Sequence, residues 1–405
     1  MPKISRKGQL MPSSPIRKLA RFADEATKNG VYIYHLNIGQ PDIETPKEFW
    51  EAIKAIDLKL LAYSPSNGYE DLRVKYAAYF SEKCGLKHLK ADDLLITTGA
   101  SEALFFTMLS IFDEGEEVIV TEPLYANYIG YSRSGNVNMK AITTSFEDGF
   151  ALPSIDEFEN AITSKTKAIL ICNPSNPTGY NYSKEELDRL RDIALKHDLF
   201  IISDEVYREF NYTGQPHMSM MSYPEIEQNV ILIDSLSKRF SACGARIGMI
   251  ATKNKEVLDT VLKFAQQRLS PPSVEQIASI ALFDVKDEYF TEVNKEYVQR
   301  RDVLVSGLNA IEGVKCPTPK GAFYCMVELP VKDSDHFCQW MLEGFQYEGA
   351  TVMMAPGAGF YSTDGLGKDQ VRVAYVLESG ALKKAIKCLE EGLKAYRIAF
   401  PDLNK

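Results

Sequence analysis

The sequence lacks the features that mark several classes of protein. Its seven cysteines form no Cys-x-x-Cys pair and leave an odd one over, which indicates reduced thiols and predicts a cytoplasmic protein. Its five histidines are scattered without the helical spacing of two metal ligands, so no zinc site is expected. No run approaches the roughly 18 apolar residues that cross a bilayer, and the amino terminus lacks a secretory apolar stretch, so no membrane association is expected.

Basic residues are also in the minority. The formal net charge of −9 over 405 residues, with no basic stripe to offset it, argues against nucleic acid as a partner. The content of 45% hydrophobic and 25% charged residues is ordinary for a globular enzyme. Because the chain is longer than one hydrophobic core usually supports, we expect one large and one smaller domain.

Short apolar runs alternate with amphipathic stretches between about residues 90 and 255. This pattern predicts an α/β fold, in which a mostly parallel sheet is covered by helices. A capping box formed by Ser183 and Glu186 predicts a helix that continues to about His197. The expected strands are Leu94–Thr97, Glu117–Val120, Ala168–Ile171, Leu199–Ile202, Val230–Ile233 and Ile247–Ile250.

The pattern changes after about residue 285. A long charged helical segment, Asp287–Ile311, is followed by a strand-like stretch, Gly321–Val327, and by a helical carboxyl terminus. These segments predict a smaller α+β domain. We expect residues 46–285 to form the large domain, and residues 1–45 and 286–405 to form the small one.

Polar motifs follow four of the expected strands. In open α/β sheets the ligand lies outside the carboxyl ends of the strands, so these motifs should converge on one crevice. The motifs are Gly99–Ala103, Asn173–Gly179, Ser203–Tyr207 and Ser235–Lys238.

Lys238 is the most informative residue of these motifs. It follows the buried run Val230–Ile233 closely, and a low-dielectric crevice favours the uncharged, nucleophilic form of an amine, as a Schiff base requires. The hydroxyl of Ser235 and the planar fork of Arg246 suit a phosphate monoester. An amine beside a phosphate cradle suggests pyridoxal phosphate. Read alone, the segment is also compatible with a solvated lysine and a distant salt-bridged arginine.

In order and spacing, the motifs resemble those of the class I/II aminotransferases of fold type I, the aspartate aminotransferase superfamily. The resemblance runs from Leu36–Asp42 to Val371–Tyr375 and rests on Asn-Pro-Thr-Gly, Asp-x-x-Tyr, Ser-x-Ser-Lys and Arg-Val-x-Tyr. It implies transfer of an amino group from an L-amino acid to a 2-oxo acid. The cofactor would be pyridoxal 5'-phosphate, held as an internal aldimine on Lys238, with a pyridoxamine phosphate intermediate. A pyridoxal-phosphate-dependent β/γ-lyase on the same scaffold is the alternative.

The resemblance assigns catalytic roles to three residues. Lys238 would hold the cofactor and move the proton between the substrate Cα and the cofactor. Asp204 would keep the pyridine nitrogen of the cofactor protonated. Without the resemblance, the alternative is that Asp204 is a helix N-cap. Tyr207, with Asn176, would hydrogen-bond the phenolic oxygen of the cofactor. Without the resemblance, Asn176 is a turn residue and Tyr207 a core aromatic.

Other residues are assigned to the cofactor ring and to its phosphate. Tyr125 matches the aromatic residue that stacks on the pyridine ring, and its neighbour Tyr128 is the competing candidate. The phosphate should sit at a helix start, where free N–H groups and the helix dipole favour an anion. The residues assigned to the phosphate are Gly99, Ala100, Ser101, Ser235, Ser237 and Arg246.

Three further residues complete the expected site. Tyr63 matches a tyrosine that reaches the phosphate from the neighbouring subunit, which implies a homodimer with shared active sites. Arg372 matches the arginine that binds the substrate α-carboxylate, and a structural salt bridge is its alternative. Gly39 should line the same pocket, where the lack of a side chain leaves room for substrate.

One departure from the family leaves the preferred amino donor open. In a prokaryotic aspartate-preferring branch, a lysine at the position of Ser101 pairs with the distal carboxylate of the substrate, and serine cannot do so. Pro15 and Ile16 belong to the segment that borders the pocket in relatives. A dicarboxylic, neutral or aromatic donor therefore remains possible, and Arg268 is a candidate for a distal cation.

Overall fold

The computed structural model describes residues 2–405, and the expected apolar runs are strands in it. Their boundaries differ from the expected ones by at most two residues. The strands are β1 (Tyr32–His35), β2 (Leu94–Thr97), β3 (Glu117–Glu122), β4 (Asn138–Thr143), β5 (Thr166–Cys172), β6 (Phe200–Asp204), β7 (Val230–Ser235), β8 (Gly248–Ala251), β9 (Tyr324–Glu328), β10 (Ala350–Met353), β11 (Ala355–Pro356) and β12 (Gln370–Ala374).

Helices separate most of these strands, and the one that follows the capping box begins and ends where the sequence predicts. Ser183 accepts a hydrogen bond from the backbone N–H of Glu186, whose side chain accepts one from the N–H of Ser183. The α-helices are α1 (Arg6–Leu10), α2 (Ala20–Lys28), α3 (Lys47–Lys54), α4 (Glu70–Cys84), α5 (Ala100–Ile111), α6 (Asn127–Ser134), α7 (Ile155–Ala161), α8 (Lys184–His197), α9 (Leu236–Arg239), α10 (Lys255–Arg268), α11 (Ser273–Leu282), α12 (Asp287–Asn309), α13 (Ser334–Glu343) and α14 (Ser379–Ala399).

Within the described residues, the largest sheet has seven strands in the order β2-β8-β7-β6-β5-β3-β4. Strand β8 runs antiparallel to β2 and β7, while the pairs from β7 to β4 are parallel. The predicted α/β fold with a mostly parallel sheet is confirmed. The sequence did not reveal β4, because this edge strand alternates polar and apolar residues instead of forming an apolar run, and only Ile142 in it is buried.

Both faces of this sheet are buried, because successive side chains of a strand point to opposite sides. On one face, strand residues such as Val118 and Leu170 pack with α5 and α10. On the other face, residues such as Ile119 and Ile169 pack with α4 and α8. This double burial explains why the strands are continuous apolar runs rather than alternating ones.

The antiparallel direction of β8 brings three parts of the chain to one edge of the sheet. Gly248, the first residue of β8, lies opposite Thr97 at the end of β2 and opposite Ser235 at the end of β7. A Cβ atom on Gly248 would lie 2.5 Å from the carbonyl carbon of Gly99, so the turn before α5 packs directly against the β8 backbone. Arg246, just before β8, therefore lies at the same edge as the polar motifs.

The remaining strands form two smaller sheets. Strand β1 pairs in parallel with β10, and β12 pairs antiparallel with both β9 and β11. The N–H of Ala374 donates to the carbonyl of Leu36, which brings the segment after β1 alongside the end of β12.

The division into domains at residues 45 and 285 stays a prediction. Among residues 2–405, no helix is both long and apolar enough to cross a membrane.

Candidate functional site

A cavity of about 650 Å³ opens at the edge of the sheet where the polar motifs meet. Most of the residues expected from the sequence line it, although they are scattered over more than 300 positions. Gly99 is the N-cap of α5 behind the wall, and Tyr63 lies outside the cavity. The expected residues in the wall are Gly39, Ala100, Ser101, Tyr125, Asn176, Asp204, Tyr207, Ser235, Ser237, Lys238, Arg246 and Arg372.

Lys238 lies on the short helix α9 and is half-buried. Its Nζ donates a hydrogen bond of 2.9 Å to the carbonyl of Gly39 and lies 3.8 Å from the Sγ of Cys243. The helix is capped by the Ser235 hydroxyl, which accepts from the N–H of Ser237 at 3.1 Å. The amine is thus held by protein groups at the cavity wall rather than by solvent alone.

A buried ion pair fixes the segment that carries Lys238. Asp234 and Arg239, at the two ends of this segment, form an ion pair in which both side chains are fully buried. Arg239 also stacks on the ring of Tyr79, with its guanidinium carbon 4.6 Å from the ring centre. Separating the two partners would leave two uncompensated buried charges, which is strongly unfavourable. The pair therefore restrains the backbone between residues 234 and 239.

Asp204, at the end of β6, is a buried carboxylate without a cationic partner. It accepts hydrogen bonds from the Tyr128 hydroxyl at 2.7 Å and from the N–H of Val206 at 3.4 Å. Among the described residues, no lysine, arginine or histidine forms an ion pair with it. Burial raises the pKa of Asp204 to about 6, although the bond from Tyr128 opposes the shift. A turn rather than a helix follows Asp204, so the N-cap alternative is wrong.

Tyr125 and Tyr128 take different places. Tyr125 lines the cavity, and Asn127 donates a hydrogen bond of 2.7 Å to its hydroxyl. Tyr128 is buried behind it, and its hydroxyl donates a hydrogen bond to Asp204. The two rings are nearly perpendicular, with their centres 5.3 Å apart. Of the two candidates, Tyr125 is therefore the one whose side chain reaches the cavity.

A chain of polar side chains links Asn176 to the opposite wall. Asn176 donates to the hydroxyl of Tyr207 at 3.4 Å, and the hydroxyls of Tyr207 and Tyr324 lie 3.0 Å apart. The side-chain oxygen of Asn176 accepts from Arg372 at 3.1 Å. Burial is the main cause of the raised pKa of Tyr207, so its hydroxyl keeps its proton at neutral pH. Asn176 and Tyr207 are therefore more than a turn residue and a core aromatic.

Arg372, on β12, is a buried cation without an anionic partner. Only 1% of its surface is exposed. Its guanidinium donates to the carbonyl of Asn37 at 2.6 Å and stacks between the rings of Tyr324 and Phe360, at 4.5 and 4.9 Å. Among the described residues it forms no ion pair and its Nε has no hydrogen-bond partner, so the structural salt bridge is wrong. Burial lowers the pKa of Arg372, and an anion bound there would offset that penalty.

A second set of groups suits an anion at the start of α5. The N–H groups of the first helical turn have no partner within the helix. Arg246 donates to the carbonyls of Cys243 and Thr98 at 3.0 and 3.4 Å, and within residues 2–405 no carboxylate pairs with it. The hydroxyls of Ser235 and Ser237 are 2.8 Å apart beside it. A side chain on Gly99 would overlap the guanidinium of Arg246, which explains the glycine there.

The structure also shows wall residues that the sequence did not reveal. Tyr324, Asn127, Cys243 and Arg17 all line the cavity. Arg17 and Tyr324 lie outside the motifs that follow strands of the large sheet. Asn127 and Cys243 lie in such segments, close to Tyr125 and Arg246, but no pattern of their own singled them out. The role of Gly39 differs from the expectation, because a side chain there would overlap the hydroxyl of Tyr324. The missing side chain makes room for this tyrosine.

Two other candidates lie away from the cavity. Tyr63 is 78% exposed and does not line the cavity of its own chain. Arg268 forms an ion pair with Glu102 at 3.6 Å and donates to the carbonyl of Ser66 at 3.1 Å. It is absent from the cavity wall, so it does not supply a distal cation in this arrangement.

Comparison with known proteins decides which family has this site. Residues 32–389 match the family model described as aminotransferase class I and II. The chain belongs to this family. It is an aminotransferase, and the lyase alternative is not favoured.

Individual relatives support the same conclusion over nearly the whole chain. An aspartate aminotransferase of Bacillus subtilis is 30% identical over 397 residues, covering 96% of this chain and 98% of the relative. An aromatic-amino-acid aminotransferase of Thermococcus litoralis is 30% identical over 403 residues, covering 98% and 99%. The structure of an aspartate aminotransferase from Thermus thermophilus with maleate has a TM-score of 0.88 at 29% identity, covering 97% of this chain and 100% of that one.

The unpaired carboxylate of Asp204 leads to a prediction about stability. In the ligand-free protein, the pKa of about 6 is well above the unfolded value, so the folded state holds a proton between about pH 4 and 6 that the unfolded state has lost. The free-energy cost of burying the Asp204 carboxylate therefore grows as the pH rises through this window. We expect Asp204→Asn to increase the free energy of unfolding by roughly 2 kcal/mol more at pH 8 than at pH 4.

Denaturant titration of the ligand-free protein at the two pH values measures this difference. Asp364→Asn is the matched control, because it removes the same charge from an exposed position. The control should change the free energy of unfolding by less than about 0.5 kcal/mol at either pH. An Asp204→Asn variant that is less stable than the parent at pH 8 would contradict the uncompensated burial of this carboxylate.

Proposed function

We propose that this aminotransferase works with pyridoxal 5'-phosphate bound in the cavity and transfers the amino group of an L-amino acid to a 2-oxo acid. The observation that carries the proposal is the pair of uncompensated buried charges in one cavity, Asp204 and Arg372. A ligand with a protonated ring nitrogen would compensate the charge of Asp204, and a ligand with a carboxylate would compensate that of Arg372. The cofactor and an amino acid bound together supply these two groups.

The residues present fit this cofactor in three further respects. Lys238 offers an amine at the cavity wall, held 2.9 Å from the carbonyl of Gly39. The α5 amino terminus, with Ser235, Ser237 and Arg246, offers donors for a phosphate. Tyr125 offers an aromatic face. The volume of about 650 Å³ lies in the range of ordinary small-molecule sites.

Each wall residue then has a definite task. When bound, the cofactor supplies an aldehyde that takes up the amino group and a ring that withdraws electrons from the substrate Cα. Asp204 would hold a proton on the ring nitrogen. Tyr207 and Asn176 would donate hydrogen bonds to the phenolic oxygen. Lys238 would hold the cofactor through its amine and, when that amine is free, would move the proton at the substrate Cα.

Arg372 orients the substrate. Its guanidinium is fixed by Asn37, Asn176 and the two aromatic rings, so little side-chain freedom remains to be lost when a carboxylate binds. A bidentate contact to the α-carboxylate sets the direction of the Cα–H bond relative to Lys238. Because every amino acid has this carboxylate, Arg372 contributes to binding but not to the choice between donors.

Covalent labelling tests the proposed role of Lys238. After loading with pyridoxal phosphate, reduction with borohydride and digestion, we expect the pyridoxyl mass on the peptide that contains Lys238, because among residues 2–405 its Nζ is the only lysine amine in the cavity wall. Mass spectrometry of the digest measures this. Lys238→Ala, treated in the same way, should carry no stoichiometric label. A full label on another lysine of the parent protein would overturn the assignment.

We also propose that two copies of the chain share their active sites. The support is the segment around Tyr63, where Leu60 and Leu61 are 77% and 67% exposed. Its backbone is held to the start of α11, since Ser64 donates to the carbonyl of Pro271 and Ser273 to that of Ala62, both at 3.2 Å. A fixed backbone that presents apolar side chains to solvent suits contact with another protein surface, and a two-fold dimer is the commonest arrangement.

Mixed dimers test the shared site. Tyr63→Ala and Lys238→Ala chains refolded together should regain activity, because a mixed dimer has one site with both residues intact, and random pairing restores about a quarter of all sites. The Tyr63→Ala parent must first be clearly impaired, and mass spectrometry must show the mixed dimers. Activity no greater than the sum of the two parents would place Tyr63 outside the partner's site.

A cytoplasmic location, expected from the reduced thiols, stays a prediction.

A further inference from the structure

Glu122, at the end of β3, is a fully buried carboxylate that lies outside the cavity wall. Its Oε1 accepts a hydrogen bond of 2.9 Å from the hydroxyl of Thr143 on the neighbouring strand β4. Its Oε2 accepts three, from the N–H and the hydroxyl of Ser362 at 2.7 and 3.0 Å and from the N–H of Thr363 at 3.2 Å. Within residues 2–405 no cation forms an ion pair with it. Neutral donors therefore satisfy this carboxylate, and three of the four come from one loop.

The loop that Glu122 binds, Gly357–Thr363, follows β11 and is called the Phe360 loop below. It begins with one 3₁₀ turn close to β12, since a Cβ atom on Gly357 would lie 2.6 Å from the carbonyl oxygen of Gln370. Its far end, Ser362–Thr363, is exposed. The bonds to the glutamate hold this exposed end to β3, a strand of the large sheet.

Phe360 connects this loop with the cavity. Its ring is fully buried and lies 4.9 Å from the guanidinium carbon of Arg372, which also lies 4.5 Å from the ring of Tyr324. The carbonyl of Phe360 accepts from the N–H of Leu124 at 2.7 Å, next to Tyr125 in the chain. The loop thus contacts the arginine proposed for the α-carboxylate and the segment that carries the proposed ring-stacking tyrosine.

The bonds to Glu122 are of the strong kind, because their acceptor is ionised. Without that carboxylate, water could solvate the donors of Ser362 and Thr363, since both residues are already exposed. The end of the loop would then be free to leave β3, and Phe360 would lose its restraint. An Arg372 side chain with a looser neighbour would lose more conformational freedom when it binds a carboxylate.

We propose that Glu122 is a positioning residue, which binds the Phe360 loop and thereby keeps Phe360 against Arg372 so that the guanidinium is ready for the substrate α-carboxylate. This inference rests on the proposed function of the cavity. Because every amino acid has an α-carboxylate, loss of Glu122 should affect all donors alike. The competing explanation is that Glu122 only stabilises the fold.

The test compares Glu122→Met with Glu117→Met in the loaded enzyme. Glu117 is the matched control, because it is a buried glutamate at the opposite end of β3, where it accepts from the hydroxyl of Thr163 at 2.6 Å. The measured quantities are kcat and KM of the first half-reaction with alanine, aspartate and phenylalanine. We expect Glu122→Met to raise KM about tenfold for each donor, with kcat changed by less than about threefold. Glu117→Met should leave both values within about twofold, even if it lowers stability.

The conservative variant Glu122→Gln should restore binding. Its side-chain oxygen can still accept from the loop, and its amide can donate to the hydroxyl of Thr143, so KM should stay within about threefold of the parent. Hydrogen exchange of the ligand-free protein gives a readout without turnover. The amides of Ser362 and Thr363 should exchange faster in Glu122→Met than in the parent, and unchanged in Glu117→Met.

A double-mutant cycle with Phe360→Ala tests whether Glu122 acts through Phe360. Phe360→Ala alone should also raise KM for all three donors. Adding Glu122→Met to it should raise KM further by less than about twofold, because the ring to be positioned is already gone. Effects of the two substitutions that multiply would overturn the inference.

The remaining outcomes separate the inference from the function on which it rests. A KM in Glu122→Met equal to that of the parent, or raised as much in Glu117→Met, shows that Glu122 only stabilises the fold. If Glu122→Met does not fold, Ser362→Ala removes one bond at an exposed position and should raise KM about threefold, and an unchanged KM overturns the inference. If the parent reacts with no amino acid at all, the proposed function itself fails, and the exchange rates still decide whether Glu122 holds the loop.

Discussion

The site depends on two buried charges of opposite sign that the protein leaves without an ionic partner. Arg372 and Asp204 lie in the wall of one cavity, and each is satisfied by neutral groups: carbonyls and rings around the arginine, a tyrosine hydroxyl and a backbone N–H beside the carboxylate. Burial without a counter-charge destabilises the ligand-free fold and favours ligands that bring the missing charges. The fold must therefore hold these groups firmly where they would not remain by themselves.

Two features of the fold provide that support. Strand β8 runs against its neighbours, so that Gly248 packs on the turn before α5 and Arg246 comes beside the ends of β2 and β7. The buried pair of Asp234 and Arg239 joins the two ends of the segment that carries Lys238. The candidate site thus rests on backbone contacts and on a charge pair in the core, and the cavity wall itself is free to present unpaired groups to ligands.

The sequence was sufficient for six of the seven strands of the large sheet and for most of the cavity wall. Strands buried on both faces are continuous apolar runs, and the motifs after them meet because parallel strands end at one edge. The edge strand β4 is not a continuous apolar run and carries no such signal. Tyr324 and Arg17 reach the wall from other parts of the chain, through tertiary packing that local patterns do not encode. Asn127 and Cys243 lie beside expected residues, but no local pattern shows that they face the cavity. The N-cap expected as an alternative for Asp204 was wrong because a turn and not a helix follows this residue. The salt bridge expected as an alternative for Arg372 was wrong because, within residues 2–405, the fold places no carboxylate in ion-pair contact with it.

The most direct test is a single half-reaction. Enzyme loaded with pyridoxal phosphate is mixed with an L-amino acid in the absence of a 2-oxo acid acceptor, while absorbance, 2-oxo acid and ammonia are measured. We expect the long-wavelength absorption to bleach once, with about one equivalent of 2-oxo acid per site and no ammonia, and to return when a 2-oxo acid is added. Continuous release of ammonia and 2-oxo acid without an acceptor would contradict transamination and indicate elimination instead.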